Sequence, residues 1–552
     1  MKRFRLASIL AVLGSIVVAE VPAQVAGRAP APAPASLALA TKVSRPGGVT
    51  QSGAKSEADT DAAEPVSLKA FAGLIAVADE SVLIQRYEAA IAEHGVKGAA
   101  AIFEPSFFAT SELESSRMQN SSSEILQRAG TADYASRIGQ LKSGINLKTA
   151  TGADVEFSYN VSRSTNSLQA GIGITGPEYR SNLGAKLTQP LLRGGGIAAT
   201  NAAIRIAERE QMVAREMLRQ VVSQRVMDGV SAYFNVQRAR ERARLRTEAS
   251  AIAERLLAEV RRQQERGLKS AFDVQDMEST AAQRRSQLAQ AQQDYEEQLN
   301  TFRAMIAARE RDSGSSLRAR RTVPSDPVVM LAPAPVSAPG SGVQGEASSL
   351  SPLELSLSRR PELRVNRLKE EREDIRVEFA RNQLLPELSL SLRYGVDDLA
   401  RYYRAPNDYL FTGSPYNTWS VGLQFRYFLQ GDQKRSSEYE TAAVRRQQAG
   451  LAKSAVEQRI ANEVESSMAV LDKGLQQVAR QQENARAQRE LLRIDEGLVR
   501  EGRKSALDLM KRQLDLLVAE EALADSIVIA NRASFMVSQV QGNVLVRLGL
   551  EQ

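Results

Sequence analysis

Gly267-Leu-Lys-Ser-Ala-Phe-Asp-Val274 returns 235 positions later, from 267 to 502, as Gly502-Arg-Lys-Ser-Ala-Leu-Asp-Leu509. The same offset carries Leu256-Leu257 onto Leu491-Leu492, and each copy lies within a long stretch rich in Ala, Gln, Glu and Arg. A phrase repeated at that distance marks a tandem duplication. The repeated phrase itself reads as the turn of a helix hairpin. Gly267 can end one helix, and Ser270 can cap the next with Asp273 three residues on completing a capping box.

Outward from the first turn, Ile197 to Arg266 contains no proline and one internal glycine, Gly229. As a helix that span would reach roughly 105 Å, several times the thickness of a bilayer core. Val213, Met217 and Val221, then Ile252, Leu256 and Val260, recur at helical spacing. A return helix is predicted over 273–309. The second copy predicts helices over 433–500 and 506–549, the last carrying a stripe of Leu507, Met510, Leu514, Leu517, Ala524 and Val528 that only Glu521 interrupts. Such heptad spacing calls for partner helices and left-handed supercoiling. Mixed-sign runs such as Arg238-Ala-Arg-Glu-Arg-Ala-Arg244 read as a solvated coiled-coil face. Shorter helices are expected from Ser67 to about Gly95 and up to Leu384.

Between the helices the period changes to two. In the first copy, strands fall within 103–192: alternation starts at Phe103, Gly144–Thr149 and Val155–Val161 flank a turn at Gly152, and Leu183–Leu192 ends at Gly194-Gly-Gly196. The second copy predicts strands at 386–394 and 419–429. Each copy thus offers two principal strands of about ten residues, long enough to cross a bilayer when tilted. Pro105 lies 281 residues before Pro386, so the first copy holds about 46 residues more than the helical offset requires. That surplus, near 120–165, is expected to form an extracellular or barrel-rim elaboration. Residues 65–310 and 353–552 are the two repeats, 24–64 an Ala/Pro-rich disordered tether and 311–352 a linker without periodicity.

Residues 1–23 have a basic start, an apolar core and Val21-Pro-Ala23, the pattern of a secretory signal peptide. The chain has no cysteine, which excludes disulfides and thiolate metal sites. After residue 23 no apolar run approaches the length of a membrane helix, so a membrane crossing requires a β-barrel. Four strands cannot close one, and open edges are not tolerated in lipid, so copies of the chain must join. The net charge of +7 is dispersed rather than striped with aromatics, which argues against nucleic acid. A single histidine, His94, and no nucleophile motif or metal cluster argue against an enzyme and against a cofactor.

In this order these segments resemble the TolC-like outer-membrane efflux proteins. The resemblance rests on the leader, the duplication, Leu187-Thr-Gln-Pro-Leu-Leu-Arg-Gly-Gly195, Arg360-Pro-Glu-Leu363, Asn382-Gln-Leu-Leu-Pro-Glu-Leu388, Trp419-Ser-Val-Gly-Leu-Gln-Phe425 and the two Gly…Ser-Ala-(Phe/Leu)-Asp turns. It implies a mixed α/β protomer with four membrane strands, and a homotrimer whose twelve-stranded outer-membrane β-barrel continues into a twelve-helix periplasmic α-barrel. It further implies docking on a periplasmic adaptor that links to an inner-membrane pump or ABC transporter, in a tripartite efflux or type I secretion system. Gly267, Leu268 and Ser270, with Gly502 and Ser505, match the adaptor-docking tips. Asp508 matches an acidic ring at the periplasmic gate, departing from the pattern at Lys511, one turn on. Asp273 matches a position that pairs across the tips with a basic residue, here Lys504. Gln189, Pro190, Gly194, Gly195 and Gly431 fall at the barrel-to-tunnel transition. The competing expectation is a periplasmic coiled-coil spacer anchored in the outer membrane without conduction.

Overall fold

A computed structural model describes residues 64–128, 130–171, 176–307, 322–331, 351–400 and 416–550. The leader, nearly all of the tether and the loop aromatics Tyr402, Tyr403, Tyr409 and Phe411 lie outside the described residues. Seven helices dominate: α1 Leu68–Ala78, α2 Glu80–Ala100, α3 Ala202–Glu265, α4 Ala271–Ala307, α5 Pro361–Gln383, α6 Gln433–Arg500 and α7 Ala506–Val540. The strands are β1 Glu64–Val66, β2 Ser106–Gln119, β3 Asp133–Lys148, β4 Asp154–Asn166, β5 Glu178–Pro190, β6 Thr322–Pro324, β7 Glu387–Ala400 and β8 Asn417–Arg426.

Helix ends follow local chemistry. Asp79 breaks the first predicted helix in two because its carboxylate accepts from the amides of Ser81 and Val82, capping α2. Pro361 starts α5 at its first turn, after a short helix over Pro352–Arg359. Gly542, in the left-handed region at φ 69°, ends α7 short of the predicted 549.

The helices form a layer four wide at every level. Near the strands the order is α2, α3, α5, α6; beyond, it is α4, α3, α7, α6. Thus α3 and α6 run the full length, and shorter helices stack end to end beside them. The main core sits where the stacked helices meet, around Phe71, Ile75, Tyr233, Phe302 and Phe535. Gly229 permits this junction: a Cβ there would stand 2.1 Å from Ile75 Cδ1. The described part of the 311–352 linker is structured, because β6 pairs in parallel with β1 and Asp326 bonds the Leu68 amide and the Tyr233 hydroxyl. Strands of three residues carry no periodicity to read.

The expected four strands are also corrected. One antiparallel sheet holds six, in the order β2-β3-β4-β5-β7-β8. The surplus of the first copy is a hairpin, β3 and β4, inserted between β2 and β5; Asp133–Asn146 of β3 pairs with β2 and Asp154–Ser164 of β4 pairs with β5. Pairing register fixes the faces. Phe107, Ile145, Phe157, Ala185, Tyr394 and Trp419 stand opposite one another in one row across all six strands. The adjacent row, facing the other way, reads Ser106, Asn146, Glu156, Lys186, Arg393 and Ser420. One face is apolar and exposed, the other polar. Gly144 lets β3 lie close to its neighbours, since a Cβ would stand 2.4 Å from the Phe157 carbonyl and 2.8 Å from the Phe108 ring.

Candidate functional site

The two repeated turns lie at the ends of α3 and α6, farthest from the strands. Both are built alike. Gly267 and Gly502 adopt φ 74° and 72°. Leu268 N–H donates to Gln263 O and Gly267 N–H to Gln264 O; Arg503 donates to Leu498 O and Gly502 to Val499 O. This is the Schellman closure that only glycine enters without strain. Ser270 and Asp273 form the expected capping box: Ser270 N–H donates to the Asp273 carboxylate at 2.9 Å and Asp273 N–H to Ser270 Oγ at 3.2 Å. The Ser270 amide and hydroxyl hold the Asp273 carboxyl below the usual range. Ser505 caps α7 through Leu507 N–H.

Inside the turns the copies diverge. At the first, Val260 is buried and Val274 and Met277 pack against Leu257 and Ala281. At the positions equivalent to Val260 and Met277, the second turn has Asp495 and Arg512. Asp495 is 5% exposed and accepts from Lys504 at 2.6 Å and Arg512 at 3.2 Å. Those bonds, Lys504 foremost, hold its carboxyl below the ordinary range. The expected Asp273–Lys504 pair is therefore not formed within the protomer. Asp273 takes Lys269 at 3.7 Å, while the buried Asp495 captures Lys504. Asp508 is exposed and, among the described residues, forms no ion pair, Lys511 included. At the first tip Leu268 and Phe272 are both exposed apolar side chains.

Above the tips, Arg238, Arg242 and Arg246 reach from α3 to Glu521 and Asp525 on α7, with contacts of 2.8–3.1 Å. The run taken as a solvated face is instead an interhelix ladder. Glu521, the one break in the apolar stripe, is its acceptor. Arg240, on a different face, donates to Pro324 O.

The other end is the sheet-to-helix junction. Gln189 Nε2 donates to Thr151 O and to Pro190 O, and Gly196 N–H also donates to Thr151 O. Gly194, at φ 72°, donates to Asn382 Oδ1, so the first copy's Gly-rich turn is held by the second copy's Asn382-Gln-Leu-Leu segment. Gly431 turns the chain from β8 into α6 at φ 78°, with its N–H bonded to Phe428 O. Gly195 packs its Cα against the Pro190 carbonyl, where a Cβ would stand 2.5 Å away. The residue that sequence reading missed is Arg193. Its side chain is 9% exposed and donates to Leu385 O at 2.8 Å, Glu387 at 3.1 Å and Asp432 at 3.4 Å, with the Phe428 ring 5.9 Å off. It stood inside the Leu187–Gly195 motif, but its acceptors are 192 to 239 residues away in sequence.

Among the described residues no helix is long and apolar enough to cross a membrane, and no cluster of His, Asp or Glu could hold a metal ion. The described residues thus form a two-faced sheet on a shaft of helices four wide. The chain belongs to the outer membrane efflux protein family, whose profile matches residues 81–308 and 353–526. No curated protein matches the sequence. The fold is similar to the CmeC outer membrane channel of Campylobacter jejuni, at 14% identity and TM-score 0.58, over 86% of each chain. It is similar too to the outer membrane protein VceC of Vibrio cholerae, at 16% identity and TM-score 0.53, over 88% of this chain and 97% of that one. The open-state MtrE outer membrane channel of Neisseria gonorrhoeae is a third, at 16% and 0.50, over 89% and 94%. The family is one of outer-membrane transport proteins.

Proposed function

We propose that three copies of this chain form a passive exit duct, a β-barrel in the outer membrane over a periplasmic helical tunnel, serving a tripartite efflux or type I secretion system. The observation that carries this reading is the sheet: one exposed apolar face, one polar face and two unpaired edges, an arrangement that lipid tolerates only when the edges close on further copies. The helical layer continues from it without interruption through the Arg193 junction. Energy would come from an inner-membrane pump or ABC transporter, reached through a periplasmic adaptor.

The tips are where the adaptor would dock. Gly267, Leu268 and Ser270 at one and Gly502 and Ser505 at the other set the rigid turns, and exposed Leu268 and Phe272 offer apolar purchase to a partner hairpin. Asp508, with no cation paired to it among the described residues, would face the axis as a ring of carboxylates, with Lys511 one turn above it. Planar-bilayer recording tests this. Purified protein should give discrete conductance steps, small in the wild type and larger in Asp495→Ala, which frees Lys504 and loosens the second tip. Outer-membrane trimers without any conductance in either protein would favour the spacer instead.

A further inference from the structure

We propose that the hairpin β3–β4 is barrel wall, so that three copies close an eighteen-stranded barrel as wide as the helical tube beneath it. This rests on the duct reading above and makes the outer-membrane segment wider than the twelve-stranded barrel expected from the resemblance.

Three observations support it. First, β3 and β4 repeat the two-faced pattern of the strands beside them. Ile145 and Phe157 continue the apolar row from Phe107 to Tyr394 and Trp419, while Asn146 and Glu156 continue the polar row from Ser106 to Lys186 and Arg393. A hairpin folded into the lumen or above the membrane would have no use for an exposed apolar face. Second, the inner turn of the hairpin is built into the junction. Thr151 O accepts from Gly196 N–H at 3.1 Å and from Gln189 at 3.1 Å, and Gly152, at φ 90°, fits where a Cβ would stand 2.8 Å from Thr200 Oγ1 and 2.9 Å from Gly194 O. Third, the unpaired edges are β2 and β8, and both are exposed along nearly their whole length on both faces. A second copy is the occupant that continues both rows, since Phe107 stands on one edge and Trp419 on the other.

The arc lengths agree. Strands about 4.8 Å apart and tilted about 40° each take roughly 6.3 Å of barrel circumference, so six take about 38 Å. Four helices packed side by side at about 9.5 Å also take about 38 Å. Four strands at the same tilt would take only about 25 Å. For three copies the backbone diameter is roughly 36 Å with eighteen strands and roughly 24 Å with twelve.

The chain lacks cysteine, so single cysteines can carry spin labels in the full-length protein reconstituted into liposomes. Phe157→Cys and Glu156→Cys probe the two faces of the added hairpin; Val421→Cys and Ser420→Cys probe the same faces of β8. We expect the ratio of collisions with oxygen to collisions with a water-soluble nickel chelate to be several-fold higher at 157 than at 156, matching the contrast between 421 and 420. Equal, chelate-accessible labels at 157 and 156 beside a normal contrast on β8 would overturn the eighteen-stranded wall and leave the duct standing. Loss of contrast on β8 as well would overturn both. End-on electron micrographs give an independent reading: a ring near 24 Å rather than 36 Å refutes the wider barrel.

Discussion

Replacing Arg193 tests whether the sheet and the helices are one mechanical unit. The guanidinium is nearly buried and makes three polar contacts, all with the second repeat. Its partners are not left bare by its loss: Glu387 is 41% exposed and keeps Arg426 at 3.3 Å, and Asp432 keeps Arg435 at 3.9 Å and its capping bond to the Arg435 amide. The full penalty for stranding a buried charge, about 3–5 kcal/mol, therefore does not apply, and charge-assisted bonds at about 1.5–3 kcal/mol each must be discounted for solvation. Arg193→Ala should cost about 3 kcal/mol, and Arg193→Lys, which keeps charge but not the fork, about half as much. The coupling between Arg193→Ala and Asp432→Asn in a double-mutant cycle should be about 1 kcal/mol. Urea unfolding of the detergent-solubilised protein reads this in two channels. Trp419, the only tryptophan, reports the sheet, and circular dichroism at 222 nm reports the helices. In the wild type the two transitions should coincide; in Arg193→Ala they should separate, the helices melting first. Coincident transitions at the wild-type midpoint would refute the coupling role of Arg193.

Further outcomes follow from other contacts. The Tyr233 hydroxyl is pushed up to about 12 by burial and by its bond to Asp326, so it stays protonated and donates across the physiological range; Tyr233→Phe should cost about 2 kcal/mol, seen as faster amide exchange in α1 and the 322–331 segment. Burial works to raise the Asp525 carboxyl, but the Arg238 bond and the two guanidiniums outweigh it and hold it below its ordinary 3.8; Asp495 is lowered too. Because both folded values are depressed, their stabilisation is complete above pH of about 5 and is lost as pH falls below 3.8 through the folded values, so thermal stability should be flat from neutrality to about 5 and drop beneath it. Gly267→Ala and Gly502→Ala each force an L side chain into left-handed backbone and should cost about 1 kcal/mol, confined to the tips in hydrogen exchange.

The duplication and helix lengths were legible because a helix announces itself over many residues, and because glycine and a Ser-x-x-Asp box are local chemistry. The six-stranded sheet was only half legible. Gly144–Thr149 and Val155–Val161 read as a hairpin, but the outer half of β3, Asp133-Tyr-Ala-Ser-Arg-Ile-Gly139, lacks strict alternation and its strand character comes from pairing with β2. Sequence order also says nothing about insertion between β2 and β5. The tip residues were placed correctly on their turns, yet their partners were not: the acid that captures Lys504 sits nine positions upstream, outside the repeated phrase. Arg193 and the Arg238–Arg246 ladder were missed for the same reason, since their acceptors are distant in the chain and charge patterning alone cannot tell a solvated face from a paired one.

The divergence between Val260 and Asp495 has a consequence for symmetry. In a ring of three copies, six hairpin tips would alternate between a greased bearing and an ionic bolt. In the proposed trimer, whatever withdraws the bolt, a proton or a competing charge on a docked partner, would act on every second leaf. Such an aperture would not dilate as a circle. It would open as a triangle, with three leaves fixed as posts and three swinging between them.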